Sequence, residues 1–293
     1  MKSWRAIGFV GFAGVTALDL VGPLEVFATA NTLMAEKTIP YATIILGATG
    51  KTFAAESGIA FHADALLNGA PVLDTIIVPG GAGLRIPTVC KKVAAWLRER
   101  APVTGRVTSV CTGVYALAAS GLIDGRRATT HWRFAADAAR LHPQVNFHPD
   151  AIFVRDGPYA TSAGITAGID LALALVEEDL GSTLALAVAR ELVVYVKRTG
   201  GQLQYSEPLR FQTRATDGFA ELGTWMLAHL DGDLTTECLA ERVGLSERHF
   251  RRRFQAIFGA SPAQYVERLR LDEGRRRLEA PGDVRFNCAS DRL

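Results

Sequence analysis

An α/β domain, with a parallel sheet covered by helices on both faces, followed by a small all-α domain, is the architecture this sequence predicts. Three observations predict it. Up to about residue 198, short β-branched or aromatic runs alternate with helical ones, the pattern of parallel strands joined by covering helices. Beyond residue 217 every periodic segment is helical. Between them, RTGGQLQYSEPLRFQTRATDG is rich in Gly, Gln, Thr and Arg and holds no period, so it reads as a linker. The predicted divisions are therefore a first domain over 1–198, a linker over 199–216 and a second domain over 217–293.

The elements follow in order. RAIGFVGF (5–12), YATIILGA (41–48), LDTIIVPGG (73–81) and RVTSVC (106–111) are strand-like runs bounded by Gly, Pro or polar residues. Helical patterns lie between them near 18–34, 87–101 and 112–120. NFHPDAIFVRDG and YATSAG suggest a hairpin-type addition, with helices near 165–180 and 182–197 after it. The second domain reads as helices over 218–230, 235–243, 247–258 and 262–279. The last opens on Ser261, Pro262 and Gln264, a proline at the first helical position inside a Ser-x-x-Gln capping box.

Composition bounds the function. The 293 residues are enough for two ordinary domains, and 48% hydrophobic against 21% charged residues describe a globular chain with sizeable cores. No apolar run approaches the ~20 residues of a membrane span. The N-terminus runs straight into a strand pattern without a cleavage site, so it is expected to be the first strand and not a signal peptide. Cys90, Cys111, Cys238 and Cys288 are scattered, with no Cys/His set at metal spacing. A cytoplasmic protein without metal or cofactor is expected. The net charge is only +2, yet ten arginines face four acids between Arg242 and Arg277, enough to steer that segment to phosphate.

Residues 235–258, TTECLAERVGLSERHFRRRFQAIF, read as a helix-turn-helix. Leu239, Ala240 and Val243 are spaced for one helix, Gly244 suits a turn at positive φ, and Ser246 is a good N-cap for the next. Phe250, Phe254, Ile257 and Phe258 then form one apolar stripe, leaving Arg248, His249, Arg251, Arg252 and Gln255 largely outside it. An aromatic back and a guanidinium-rich front suit a DNA major groove, where Arg pairs with guanine edges and spare cations with phosphate. A helical hairpin with a solvated basic face has the same spacing.

A second set of residues converges on the carboxyl edge of the predicted sheet. Cys111 ends a strand before Thr112, Gly113 and an Ala-rich helix, so it is expected at a strand-to-helix elbow where the helix dipole would lower its pKa. Asp19, after the first strand, would reach the same edge, with Glu25 further along its helix. Gly80 and Gly81 follow the third strand, and their amides could face an oxyanion. His131 is the histidine expected near this pocket, while His62, His142 and His148 read as structural. Each has a plain alternative: a small buried thiol, a helix cap, a chain turn, a satisfied histidine.

At this point the motifs carry a resemblance. SVCTGVYALAASGLIDGRRATTHW (109–132), LDLVGPLEVF (18–27) and VPGG (78–81) resemble the ThiJ/PfpI domain of class I amidotransferase-like fold. ARELVVYVKRTGGQLQYS (189–206) and the helix-turn-helix are similar to the GlxA group of AraC/XylS-type transcriptional regulators. The resemblance implies a regulator that binds double-stranded DNA and responds to a small metabolite, such as an amino acid or amine, held by Cys111, Asp19, Gly80, Gly81, Thr112 and His131. It implies base contacts from Arg248, Arg251 and Arg252, backbone contacts from His249 and Arg253, the helix beginning at Ser246 in the groove, and a homodimer. Two departures stand out. Thr112 follows the cysteine where the protease branch has His, which speaks against a peptidase. The Cys-Thr-Gly elbow with Asp19 instead resembles the isonitrile hydratase branch, so an enzyme using Cys111, Thr112 and Asp19, or a thiol redox sensor, remains an alternative. The second departure is the tail APGDVRFNCASDRL, which lacks the second helix-turn-helix unit that such regulators carry after the connecting helix.

Overall fold

The alternation of the sequence becomes β1 (Arg5–Gly11), α1 (Ala17–Met34), β2 (Tyr41–Gly47), β3 (Thr52–Ala54), β4 (Ala60–His62), β5 (Ala65–Leu66), β6 (Thr75–Val78), α2 (Pro87–Arg100), β7 (Arg106–Val110) and α3 (Val114–Ala119). Then come β8 (Arg127–Ala128), α4 (Trp132–Leu141), β9 (Asn146–Phe147), β10 (Phe153–Asp156), β11 (Tyr159–Ser162), α5 (Ala167–Leu180) and α6 (Ser182–Glu191). The structure is a computed structural model, and it describes residues 4–34, 39–194, 202 and 219–279. The chain divides into two compact units, Met1–Arg198 and Thr199–Leu293. The linker expected over 199–216 lies, Gln202 apart, outside the described residues, as does the tail after Glu279.

The main sheet runs β10-β11-β7-β6-β1-β2-β5. Every pairing in it is parallel except β10 with β11, the hairpin at one edge. Both faces are covered, which is why β6 is continuously apolar or buried and why β1 divides its side chains between two cores. Ala6 and Val10 join the core under α2 and α3, where Leu97 and Val114 also sit. Ile7 and Phe9 join the core under α1, α5 and α6, with Phe27, Leu171 and Val188. Gly22 lets α1 approach α5 closely, since a Cβ there would stand 3.1 Å from Ile169. That contact brings the start of each helix, and with it the two sides of the site, together.

At the amino ends of the strands the sheet is tied by charge. Asp179, near the end of α5, accepts from Arg106 Nη2 at 2.8 Å, from the Tyr41 hydroxyl at 3.1 Å and pairs with Arg5 Nε at 3.3 Å. Burial beside this carboxylate pushes the Tyr41 hydroxyl far above its ordinary pKa, so it serves as a donor.

The second unit holds α7 (Phe219–Ala228), α8 (Thr236–Arg242), α9 (Glu247–Phe258) and α10 (Pro262–Glu279). Their core is aromatic. Phe219 stacks on Phe250 at 5.5 Å, Phe254 and Phe258 lie 4.3 Å apart, and Tyr265 meets Phe254 edge-on. Gly244 takes φ +65° in the turn before α9, and Gly259 takes φ +71° as its C-cap. The capping box at α10 forms in both directions, Ser261 N–H to Gln264 Oε1 at 3.2 Å and Gln264 N–H to Ser261 Oγ at 3.4 Å. One local expectation fails: Ser246 occupies the N-cap position of α9, but its hydroxyl makes no capping hydrogen bond. Among the described residues no helix is long and apolar enough to cross a membrane.

Candidate functional site

Cys111 leaves β7 with φ +55°, a left-handed conformation that costs an L-residue energy and turns the chain abruptly into a 3-10 turn, Cys111–Gly113, before α3. Two glycines make room for it. A Cβ on Gly80 would stand 2.6 Å from Asp19 Oδ2 and 2.7 Å from Cys111 Cβ. A Cβ on Gly164, itself at φ +103°, would overlap the Cys111 side chain. Thr130 completes the cradle, donating its hydroxyl to the Cys111 carbonyl at 2.8 Å.

Asp19 sits in the first turn of α1 with no exposure to solvent. Its Oδ1 accepts from the Ile165 amide at 2.5 Å and its Oδ2 from the Gly80 amide at 3.2 Å. The Cys111 thiol also donates to this carboxylate. Burial dominates all three contacts and pushes the Asp19 pKa up to about 6. Thr112 Oγ1 accepts from the Gly81 amide at 2.8 Å and donates to the Gly81 carbonyl at 3.2 Å.

These contacts correct two expectations. The Cys111 pKa is raised, not lowered: burial is the larger cause and the Asp19 charge the next, outweighing the Thr112 amide that favours the thiolate. Helix orientation alone did not decide it, because the thiol is nearly dry and faces a carboxylate. The Gly80 and Gly81 amides are not aimed at an open oxyanion position; they hold Asp19 and Thr112. The geometry therefore brings together Cys111, Asp19, Thr112, Gly80 and Gly81 at one elbow.

His131 takes a different place. It is the N-cap of α4, its Nδ1 accepting from the Arg133 amide at 3.3 Å, with its ring packed 5.4 Å from Trp132. Burial, then the Arg133 charge, lowers its pKa and keeps it neutral. The residue of that loop that touches the elbow is its predecessor, Thr130. Glu25 lies further along α1, half a helix from the elbow.

Sequence reasoning missed Glu56. Its carboxylate accepts from the Ala82 amide at 2.7 Å and the Thr16 hydroxyl at 3.0 Å, and its charge helps raise both Asp19 and Cys111. It comes from the β3–β4 hairpin, whose three-residue strands carry too little periodicity to be read. Ile165, at φ +54° with its amide on Asp19, was equally hidden. Among the described residues no group of three or more His, Cys, Asp and Glu could hold a metal.

On the second unit, α9 buries Phe250, Phe254 and Phe258 and exposes Arg248, His249, Arg251, Arg252 and Gln255. Arg251 is paired with Glu247 at 3.0 Å. Arg253 is half-buried, its guanidinium 5.6 Å over the Phe219 ring, so it flanks the exposed face instead of crowning it. Arg242, not singled out by sequence, lies 4.0 Å over Trp225.

Comparison with known proteins accounts for this combination. Residues 5–178 match the DJ-1/PfpI family and residues 239–288 a helix-turn-helix domain. The HTH-type transcriptional regulator GbdR of Pseudomonas aeruginosa is 30% identical over 276 residues, covering 94% of this chain and 74% of its own length. Isonitrile hydratase of Pseudomonas putida is 37% identical over 188 residues, covering 64% of this chain and 77% of its own. The crystal structure of a ThiJ/PfpI family protein from Pseudomonas syringae superposes with a TM-score of 0.55 at 27% identity, over 64% of this chain and 74% of that one. The chain thus belongs to the DJ-1/PfpI family, its DJ-1/PfpI domain followed by an AraC-type helix-turn-helix domain.

Proposed function

We propose that this chain is a DNA-binding transcriptional regulator whose α/β domain responds to a small molecule taken up around Cys111. The observation that carries the reading is the exposed face of α9, the second helix of the helix-turn-helix, with Arg248, Arg251 and Arg252 presented off an aromatic core. In such a motif the N-terminal residues of the second helix meet base edges in the major groove. Arg248, Arg251 and Arg252 take that role, with His249, Arg253 and the uncapped Ser246 hydroxyl on the backbone. The GbdR likeness along most of the chain supports the same assignment.

The elbow favours a cationic effector. Asp19 at the elbow and the charge of Glu56, which reaches both Asp19 and Cys111, make the site negative, which suits an amine or amino acid over an anion. Such an effector controls DNA binding only if it has different affinity for two states of the protein. A homodimer would offer two copies of α9 to successive half-sites about 34 Å apart. Protection of the gene's own upstream DNA by the full chain, lost in Arg248→Ala and Arg252→Ala, is the expected result. No protected segment would refute the reading. Light scattering at the protein concentration used should give twice the chain mass.

A second reading has one observation in its favour. Cys111, Asp19 and Thr112 lie at one elbow in a chain 37% identical to isonitrile hydratase over the same domain. Burial and the Asp19 charge raise the Cys111 pKa, so the thiol at rest is protonated and slow to react as a free nucleophile or with peroxide. Isonitrile turnover abolished by Cys111→Ala would favour the enzyme, and peroxide-induced DNA release lost in that variant would favour the sensor.

A further inference from the structure

We propose that Glu247 is a specificity-determining residue of α9, which positions Arg251 for a guanine edge and keeps this face of the helix from settling on phosphate alone. The inference rests on the DNA-reading role assigned to α9. Glu247 is the single acid of that helix, at its first position, among the exposed Arg248, His249, Arg251 and Arg252. Its Oε2 lies 3.0 Å from Arg251 Nη2 one turn along, with the two side chains 48% and 62% exposed. On a surface that grips a polyanion, a carboxylate repels the phosphates it meets and lowers non-specific affinity. The helix dipole favours an acid in the first turn of α9, but it does not account for the contact with Arg251, and an exposed ion pair of this spacing itself adds little stability.

Base reading does explain it. The single Nη2–Oε2 contact draws the Arg251 side chain back along the helix and leaves the other N–H groups of its guanidinium to donate to an acceptor pair such as guanine O6 and N7. The carboxylate, in turn, accepts only from donors, and in the major groove cytosine N4 offers one. A G·C pair presents both edges, acceptors to Arg251 and a donor to Glu247. An A·T pair at the same position offers Arg251 no second acceptor on one base. Glu247 thus trades overall affinity for discrimination.

The test uses the full chain and two duplexes: a site enriched by the wild-type protein from a randomised duplex library, and a shuffled version of it. Affinities are measured at two salt concentrations for wild type, Glu247→Gln, Glu247→Ala, Arg251→Ala and the Glu247→Gln/Arg251→Ala pair, with helix content checked by circular dichroism. Glu247→Gln and Glu247→Ala should bind the shuffled duplex more tightly and with steeper salt dependence, while the ratio of enriched to shuffled affinity falls by about tenfold, the scale of one base contact. In the Arg251→Ala background the Glu247 change should leave that ratio within about twofold, as expected for coupled residues. An unchanged ratio, equal weakening on both duplexes as from a frayed helix, or additive effects of the two substitutions would overturn the proposal. A wild-type chain that enriches no site would instead overturn the DNA-reading role beneath it.

Discussion

Asp19 carries the electrostatics of the elbow. A carboxylate buried between two amides and a thiol keeps its proton until about pH 6, against 3.8 for the free side chain. Because the folded state binds this proton more tightly than the unfolded state, the group's contribution to stability is fully present below about pH 4 and is lost as pH rises through 6. Asp19→Asn removes that dependence. Between pH 4 and pH 7 the wild type should lose about 2 kcal/mol relative to the variant in urea unfolding; parallel profiles would contradict the assignment. The same charge raises the Cys111 pKa. Native Cys111 should therefore alkylate more slowly at pH 8 than the half-exposed Cys238, and faster in Asp19→Asn, as read site by site by mass spectrometry. Gly164 is the steric counterpart. Alanine there must hold φ +103° and overlap Cys111, so Gly164→Ala should cost about 2–5 kcal/mol.

Elements divide by how locally they are determined. The helices Glu247–Phe258 and Pro262–Glu279 were legible to the residue, because their apolar period, the turn glycine Gly244 and the Ser261 capping box are all signals within a few residues. Ser261→Ala should accordingly lose about 1 kcal/mol, and Phe254→Ala, which empties the centre of the aromatic core, about 3–5 kcal/mol in thermal unfolding. The strands β1, β6 and β7, buried along nearly their whole length, and the partly exposed β2 were legible as strands, though β6 covers only Thr75–Val78 of the run 73–81. What escaped was short or fixed from afar. The β3–β4 hairpin that supplies Glu56 has three-residue strands, and α4 begins at His131 without a Ser, Thr or Asp cap. Cys111 was legible as an elbow, but its protonation was not: the deciding burial and the Asp19 carboxylate come from an element 92 residues away in sequence, which no local dipole argument contains.

At the scale of the whole molecule, a domain with a buried acid–thiol site and one with an arginine-rich helix share one chain, whose relatives include named transcriptional regulators. The sequence changes from an alternating to a purely helical pattern after about residue 198. On the proposed function, α9 reads sequence and does not merely collect phosphate. Fluorescence anisotropy of the full chain on its own upstream DNA and on random DNA, at two salt concentrations, tests it most directly. Tighter binding to the upstream DNA is expected, with a preference that survives added salt and collapses in Arg251→Ala. Equal, salt-sensitive binding to both duplexes, or equal losses for Arg251→Ala on each, would contradict it.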